Sequence, residues 1–121
     1  MKKVLKLGIA SVPEQRARSL AIASGQRQPA RDEPNVWFPS MSAMARVLSD
    51  ENMALLKVIR ESHPDSLDAL AKAVGKHAPN VSRSLHTMER FGLVTLTKNG
   101  RSVQPQVTAE RVTVDVSWAN G

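Results

Sequence analysis

A chain of 121 residues has the size of one domain able to bury its own core. Hydrophobic residues reach 41%, but aromatics only 3% with no Tyr, so the core must be aliphatic and RNA recognition by base stacking is disfavoured. The absence of cysteine excludes a disulfide framework and thiolate metal sites, and a net charge of +6 points to a polyanionic partner.

No apolar run approaches the ~18 residues of a membrane span, and the stretch after Met1-Lys2-Lys3 is broken by Lys6 and Gly8, which argues against a signal peptide. A cytoplasmic protein is the expectation. Lys3 to Ile9 alternates, with Leu5, Leu7 and Ile9 on one side, as in a half-buried strand. Such a strand needs a partner, which the sequence suggests is a second chain or another protein. Ser11-Val12-Pro13-Glu14 has capping-box spacing and predicts a helix over 13–24, with Ala17, Leu20, Ala21 and Ser24 on one face. Residues 26–34 are polar and carry two prolines, which predicts an extended linker.

Asn35 to Phe38 suits a short strand, and Ser40 caps a brief helix through Leu48. Asp50 to Ser62 is helical, with Met53, Leu55, Leu56 and Ile59 apolar and Pro64 as the stop. Ser66 caps Leu67 to Val74, ending at Gly75; the next helix runs from Pro79 to Arg90 and buries Val81, Leu85 and Met88. The period then changes. Leu93 to Thr97 is β-prone, Asn99-Gly100 signals a hairpin, and Ser102 to Thr108 returns, with Pro105 confining that strand to an edge or a bulge. Arg111 to Trp118 alternates as a further strand. The methionines 41, 44, 53 and 88 read as core filling.

Ala71, Gly75, Val81 and Leu85 have the spacing of two helices crossing at a sharp turn: a small residue at the crossing, a glycine for positive φ, and two apolar residues packing back. The opposite face of the second helix then presents Asn80, Ser82, Arg83, His86 and Thr87, which suit hydrogen bonding to base edges in a major groove. Lys76 and His77 are placed to meet the DNA backbone, Ser66 is a further DNA-contact candidate, and Lys98, Asn99 and Arg101 at the hairpin tip are placed to meet adjacent phosphate or a minor groove. Residues 79–102 carry four basic groups against one acid. Together these predict a mainly α fold with a small β-sheet (α+β), a winged helix-turn-helix over 35–121 and an N-terminal strand-helix arm over 1–34 for dimerisation or partner binding.

Ala71 to Leu96, AKAVGKHAPNVSRSLHTMERFGLVTL, resembles the winged-helix module of bacterial regulators of the multiple-antibiotic-resistance type, through its Asn-Val-Ser-Arg step and Glu-Arg-Phe-Gly-Leu-Val exit. Over more of the chain, LGIAS, Arg16-Ala17-Arg18, DEPNVWF and LSDEN are similar to antitoxins of the TumE/TumA type. The resemblance implies a dimeric antitoxin that binds double-stranded DNA, represses its own operon and neutralises a cognate toxin.

Other readings stand beside these. The scaffold also serves as a protein-interaction module without specific DNA binding. The basic residues Lys2, Lys3, Lys6, Arg16, Arg18, Arg27 and Arg31 suit DNA, an acidic toxin or plain solvation, and Trp37 and Trp118 suit a dimer interface or a seal on the core. His63, His77 and His86 lack companions at metal-ligand spacing, and no glycine-rich phosphate loop, nucleophile elbow or catalytic carboxylate pair is present, so no metal, cofactor or enzymatic activity is expected.

Overall fold

The computed structural model describes residues 3–26, 28 and 33–118; Lys2, Arg27 and Arg31 lie outside the described residues, as does most of the 26–34 linker. The elements are β1 (Val4–Ile9), α1 (Val12–Ala23), β2 (Val36–Phe38), α2 (Met41–Val47), α3 (Asp50–Ser62), α4 (Leu67–Val74), α5 (Ala78–Arg90), β3 (Val94–Asn99), β4 (Ser102–Val107) and β5 (Arg111–Asp115). Serine starts the first four helices. The hydroxyls of Ser11, Ser40, Ser49 and Ser66 accept from the amides of Glu14, Ala43, Asn52 and Ala69 at 3.3, 3.0, 3.1 and 3.0 Å, each satisfying an amide that the helix itself leaves unpaired. At the other end, α3 stops at His63 in the left-handed region (φ 47°) and α4 at Gly75 (φ 67°).

The strands form two sheets. One is three-stranded and parallel in the order β2-β1-β5; the other is the antiparallel hairpin β3-β4. Both edges of β1 are therefore taken within the chain, by β2 and β5, which corrects the expectation that this strand pairs with a second chain. The C-terminal strand joins the N-terminal strand rather than the hairpin, and the amide of Glu110 donates to the Lys3 carbonyl at 3.0 Å where the two meet. In β1–β5 the residues Leu5 and Val112, then Leu7 and Val114, lie side by side on one face. That face covers the helical body, and Phe38 stacks on Phe91 with ring centroids 4.4 Å apart.

A single apolar cluster joins Leu5, Leu7 and Phe38 of this sheet to Leu55, Ile59, Leu70, Val81, Leu85 and Met88 of the helices. Met44 and Met88 are in it, whereas Met41 and Met53 are about half exposed and do not fill the core as expected. Helix α1 also differs from expectation: none of its residues is buried and Leu20 is exposed. Its half-buried residues are Gln15, Arg18, Ala21 and Ile22, one helical face at i, i+3, i+6 and i+7. Arg18 pairs with Glu33 and lies over the Trp37 ring, 5.3 Å from its centroid. Trp37 in turn closes over Gly8 on the sheet face away from the core, where a Cβ on Gly8 would stand 2.8 Å from the indole and 2.6 Å from Pro34. Trp37 thus packs within the chain, but Trp118 is 94% exposed and seals nothing.

Candidate nucleic-acid interface

Helices α4 and α5 meet at a turn that backbone chemistry dictates. Gly75 takes the positive φ that a side chain would resist, and its amide donates to the carbonyls of Ala71 and Lys72. The Lys76 amide donates to Ala71 at 2.9 Å, and α5 begins beyond His77 with Pro79 in its first turn. Ala71 is 3% exposed at the crossing, where a larger side chain would hold the helices apart. Val81 and Leu85 are 1% and 0% exposed, so the inward face of α5 is the one the spacing predicted.

The outward face carries Asn80, Arg83 and His86, all exposed, with Ser82 and Thr87 half-buried at its margins. These groups are not equally available. Thr87 donates its hydroxyl to the Arg83 carbonyl at 3.1 Å, and His86 Nδ1 lies 2.7 Å from the Ser82 carbonyl and 3.4 Å from the Ser82 hydroxyl. His86 Nδ1 therefore donates to its own helix and turns Nε2 outward. Asn80 and Arg83 make no side-chain hydrogen bond or ion pair among the described residues. Arg90, exposed on the same helix, was not among the residues singled out from the sequence. It follows Arg83 by seven residues, close to two helical turns, and so shares its stripe; the helical period contains that signal, but Arg90 reads most simply as a helix end.

The remaining predicted residues flank this face. Ser66 caps α4, and Lys76 Nζ is engaged by Glu51 at 3.1 Å, so that lysine must exchange a protein carboxylate for any phosphate it meets. His77 precedes α5 without a side-chain cap bond. At the hairpin tip Lys98, Asn99 and Arg101 are all exposed. Asn99 pairs with Ser102, leaving Gly100 and Arg101 as the two loop residues, with Gly100 at φ 66°; the glycine thus occupies the first loop position, one place earlier than an Asn-Gly loop would have it. Pro105 is buried on the edge strand β4 opposite Leu96. The Leu96 amide points away from β4 to the Glu89 carboxylate at 3.3 Å. This pair therefore exchanges no ladder bond, and the missing proline donor costs nothing. The same contact ties the single acid of α5 to the base of the hairpin.

The profile of the HVO_A0114 family matches residues 47–114, more than half of the sequence and the whole of the helix-turn-helix and hairpin. The chain belongs to the HVO_A0114 family. Within this HVO_A0114 protein the matched span runs from the end of α2 into β5, leaving β1, α1 and β2 outside it. A solved structure described as the predicted DNA-binding transcriptional regulator from E. coli is similar at 18% identity and a TM-score of 0.49, over 78% of this chain and 84% of that one. No curated protein matches the sequence. Among the described residues no helix is long and apolar enough to cross a membrane, and no group of three or more His, Cys, Asp or Glu side chains gathers as a metal site.

Proposed function

We propose that this HVO_A0114 protein is a sequence-specific double-stranded DNA-binding regulator that reads a major groove with α5 and braces on the backbone with the hairpin tip. One observation carries the reading: Val81 and Leu85 are buried while Asn80 and Arg83 stand on the opposite face with unspent donors. Arg83 suits bidentate pairing with guanine, and Asn80 with adenine. His86 Nε2, left as an acceptor while the ring is neutral, suits the exocyclic amines of adenine or cytosine. Lys76, His77, Lys98 and Arg101 supply the phosphate contacts that dominate affinity.

As a homodimer the protein would place two α5 helices in successive major grooves, on an inverted repeat with half-sites roughly 34 to 36 Å apart. Occupying such a site in its own promoter would make it a cytoplasmic repressor, and the resemblance to TumE/TumA antitoxins supports neutralisation of a toxin encoded beside it. The test is binding of the purified chain to the DNA upstream of its own reading frame over a series of salt concentrations. The proposal predicts preference for that DNA over random competitor and a linear fall of log affinity with log salt. Equal affinity for both DNAs would favour an interaction module instead. Rescue of growth when the chain is co-expressed with the neighbouring gene product tests the antitoxin role, and absence of rescue rejects it.

A further inference from the structure

The two edges of the parallel sheet are not alike. β2 is three residues long and lies between Pro34 and Pro39, which blunts it against further pairing. β5 is five residues long with no proline, and its outer edge has no pairing strand among the described residues. Its core-side face also continues outward: Val112 is half-buried, Val114 is 47% exposed, Val116 is 43% exposed and Trp118 is 94% exposed. Val112 and Val114 share one face of β5, and Val116 and Trp118 repeat their two-residue spacing just beyond its end. Beside the start of β5 lies a half-open groove of about 340 Å³ floored by Met53, Leu56, Leu93, Val107, Ala109 and Val112.

We infer that β5 pairs antiparallel with β5 of a second copy, in the register centred on Thr113, and that this is the dimer interface. The occupant follows from the segment itself, Arg-Val-Thr-Val-Asp, which is complementary to its own reversal. In that register Arg111 faces Asp115 of the partner subunit and Asp115 faces Arg111 of the partner subunit, while Val112 faces the partner's Val114 on the apolar side. Arg111 and Asp115 are exposed and neither has an ion pair among the described residues, so both charges are available. The centre falls on a residue, so paired positions share parity, and outward backbone groups meet outward backbone groups on both strands. The groove lies beside the start of β5 and Trp118 three residues past its end, so antiparallel pairing brings Trp118 of one copy toward the groove of its partner. The sheet becomes six-stranded and its exposed apolar row is covered twice over by symmetry.

The inference rests on the homodimer reading above and names its surface. Sedimentation equilibrium over a wide concentration range tests it. Arg111→Asp and Asp115→Arg should each weaken the wild-type dimer about tenfold or more by setting like charges opposite one another twice, and the double variant should restore it. Trp118→Ala, at a position too exposed to affect folding, should also weaken it, and in a Trp37→Phe background the Trp118 emission should shift to the blue as concentration rises. A wild-type chain that stays monomeric overturns both the dimer and its interface. A dimer indifferent to the single reversals, or not restored by the double one, overturns the interface alone, and unshifted Trp118 emission removes the groove contact.

Discussion

Leu85 and Arg83 lie two residues apart on α5 and point in opposite directions, which makes them a matched pair of perturbations. Leu85 is 0% exposed in the cluster that joins α4, α5 and the sheet. Truncating it to alanine loses three buried carbons and leaves a cavity that the crossing at Ala71 cannot close, at a cost of about 3 kcal/mol within the 2–5 usual for buried Leu→Ala. Against a total stability of about 5–15 kcal/mol for a domain of this kind, that is a large share. Arg83→Ala removes an exposed side chain that has no partner among the described residues, so stability should move by no more than about 0.5 kcal/mol. Its effect should appear in DNA affinity, about 1–3 kcal/mol or roughly 5- to 150-fold, with relaxed specificity at one base pair. Urea denaturation followed by circular dichroism measures the first quantity and fluorescence anisotropy with upstream DNA the second. A Leu85→Ala chain as stable as wild type, or an Arg83→Ala chain that loses stability but not affinity, would refute the assignment of inner and outer faces.

Other perturbations probe separate parts. Arg101→Ala, at the hairpin tip, should weaken binding to all DNA sequences alike and reduce the salt slope by about one unit; a sequence-selective loss would make it a base reader. Gly8→Ala would drive a Cβ to within 2.6 Å of Pro34 and 2.8 Å of Trp37, so thermal unfolding should show a loss of about 1–3 kcal/mol; an unchanged midpoint would show that Trp37 does not close over the sheet. Glu14 is hydrogen-bonded by the Ser11 side chain and by the Ser11 backbone amide, which holds its carboxyl below the usual carboxylate range. The capping box should therefore contribute fully above the pKa of an unstructured glutamate and be lost as pH falls through the lower folded value. A carboxyl-resonance titration of Glu14 should show that lowered midpoint and a return toward the ordinary range in Ser11→Ala; identical midpoints would contradict the box.

Local chemistry was the legible part of the fold. Ser11, Ser40 and Ser66 announce helix starts because a hydroxyl can satisfy an orphan amide three residues on, and Gly75 announces a stop because glycine takes positive φ without strain. The inward stripe of α5 was legible for the same reason, since Val81, Leu85 and Met88 recur at helical spacing. Pairing across the chain was not. β1 and β5 are separated by the entire helix-turn-helix, and their alternating patterns say that each is half-buried without saying which strand lies beside which. Nor could spacing show that α1 would pack through Gln15 and Arg18 rather than Leu20, because its few apolar side chains mark no dominant stripe. In the candidate site, residue types and spacing placed Asn80 and Arg83, and the helical period also carries Arg90 on their stripe, but the Lys76–Glu51 pair depends on tertiary placement.

The most direct measurement is an amide and side-chain NMR map of the chain titrated with its upstream DNA. Contact through α5 predicts the largest shifts at Asn80, Arg83 and His86, with a second group at the Lys76–His77 turn and at Gly100–Arg101. Shifts confined to the β1–β5 sheet, with α5 unmoved at saturating DNA, would contradict the account.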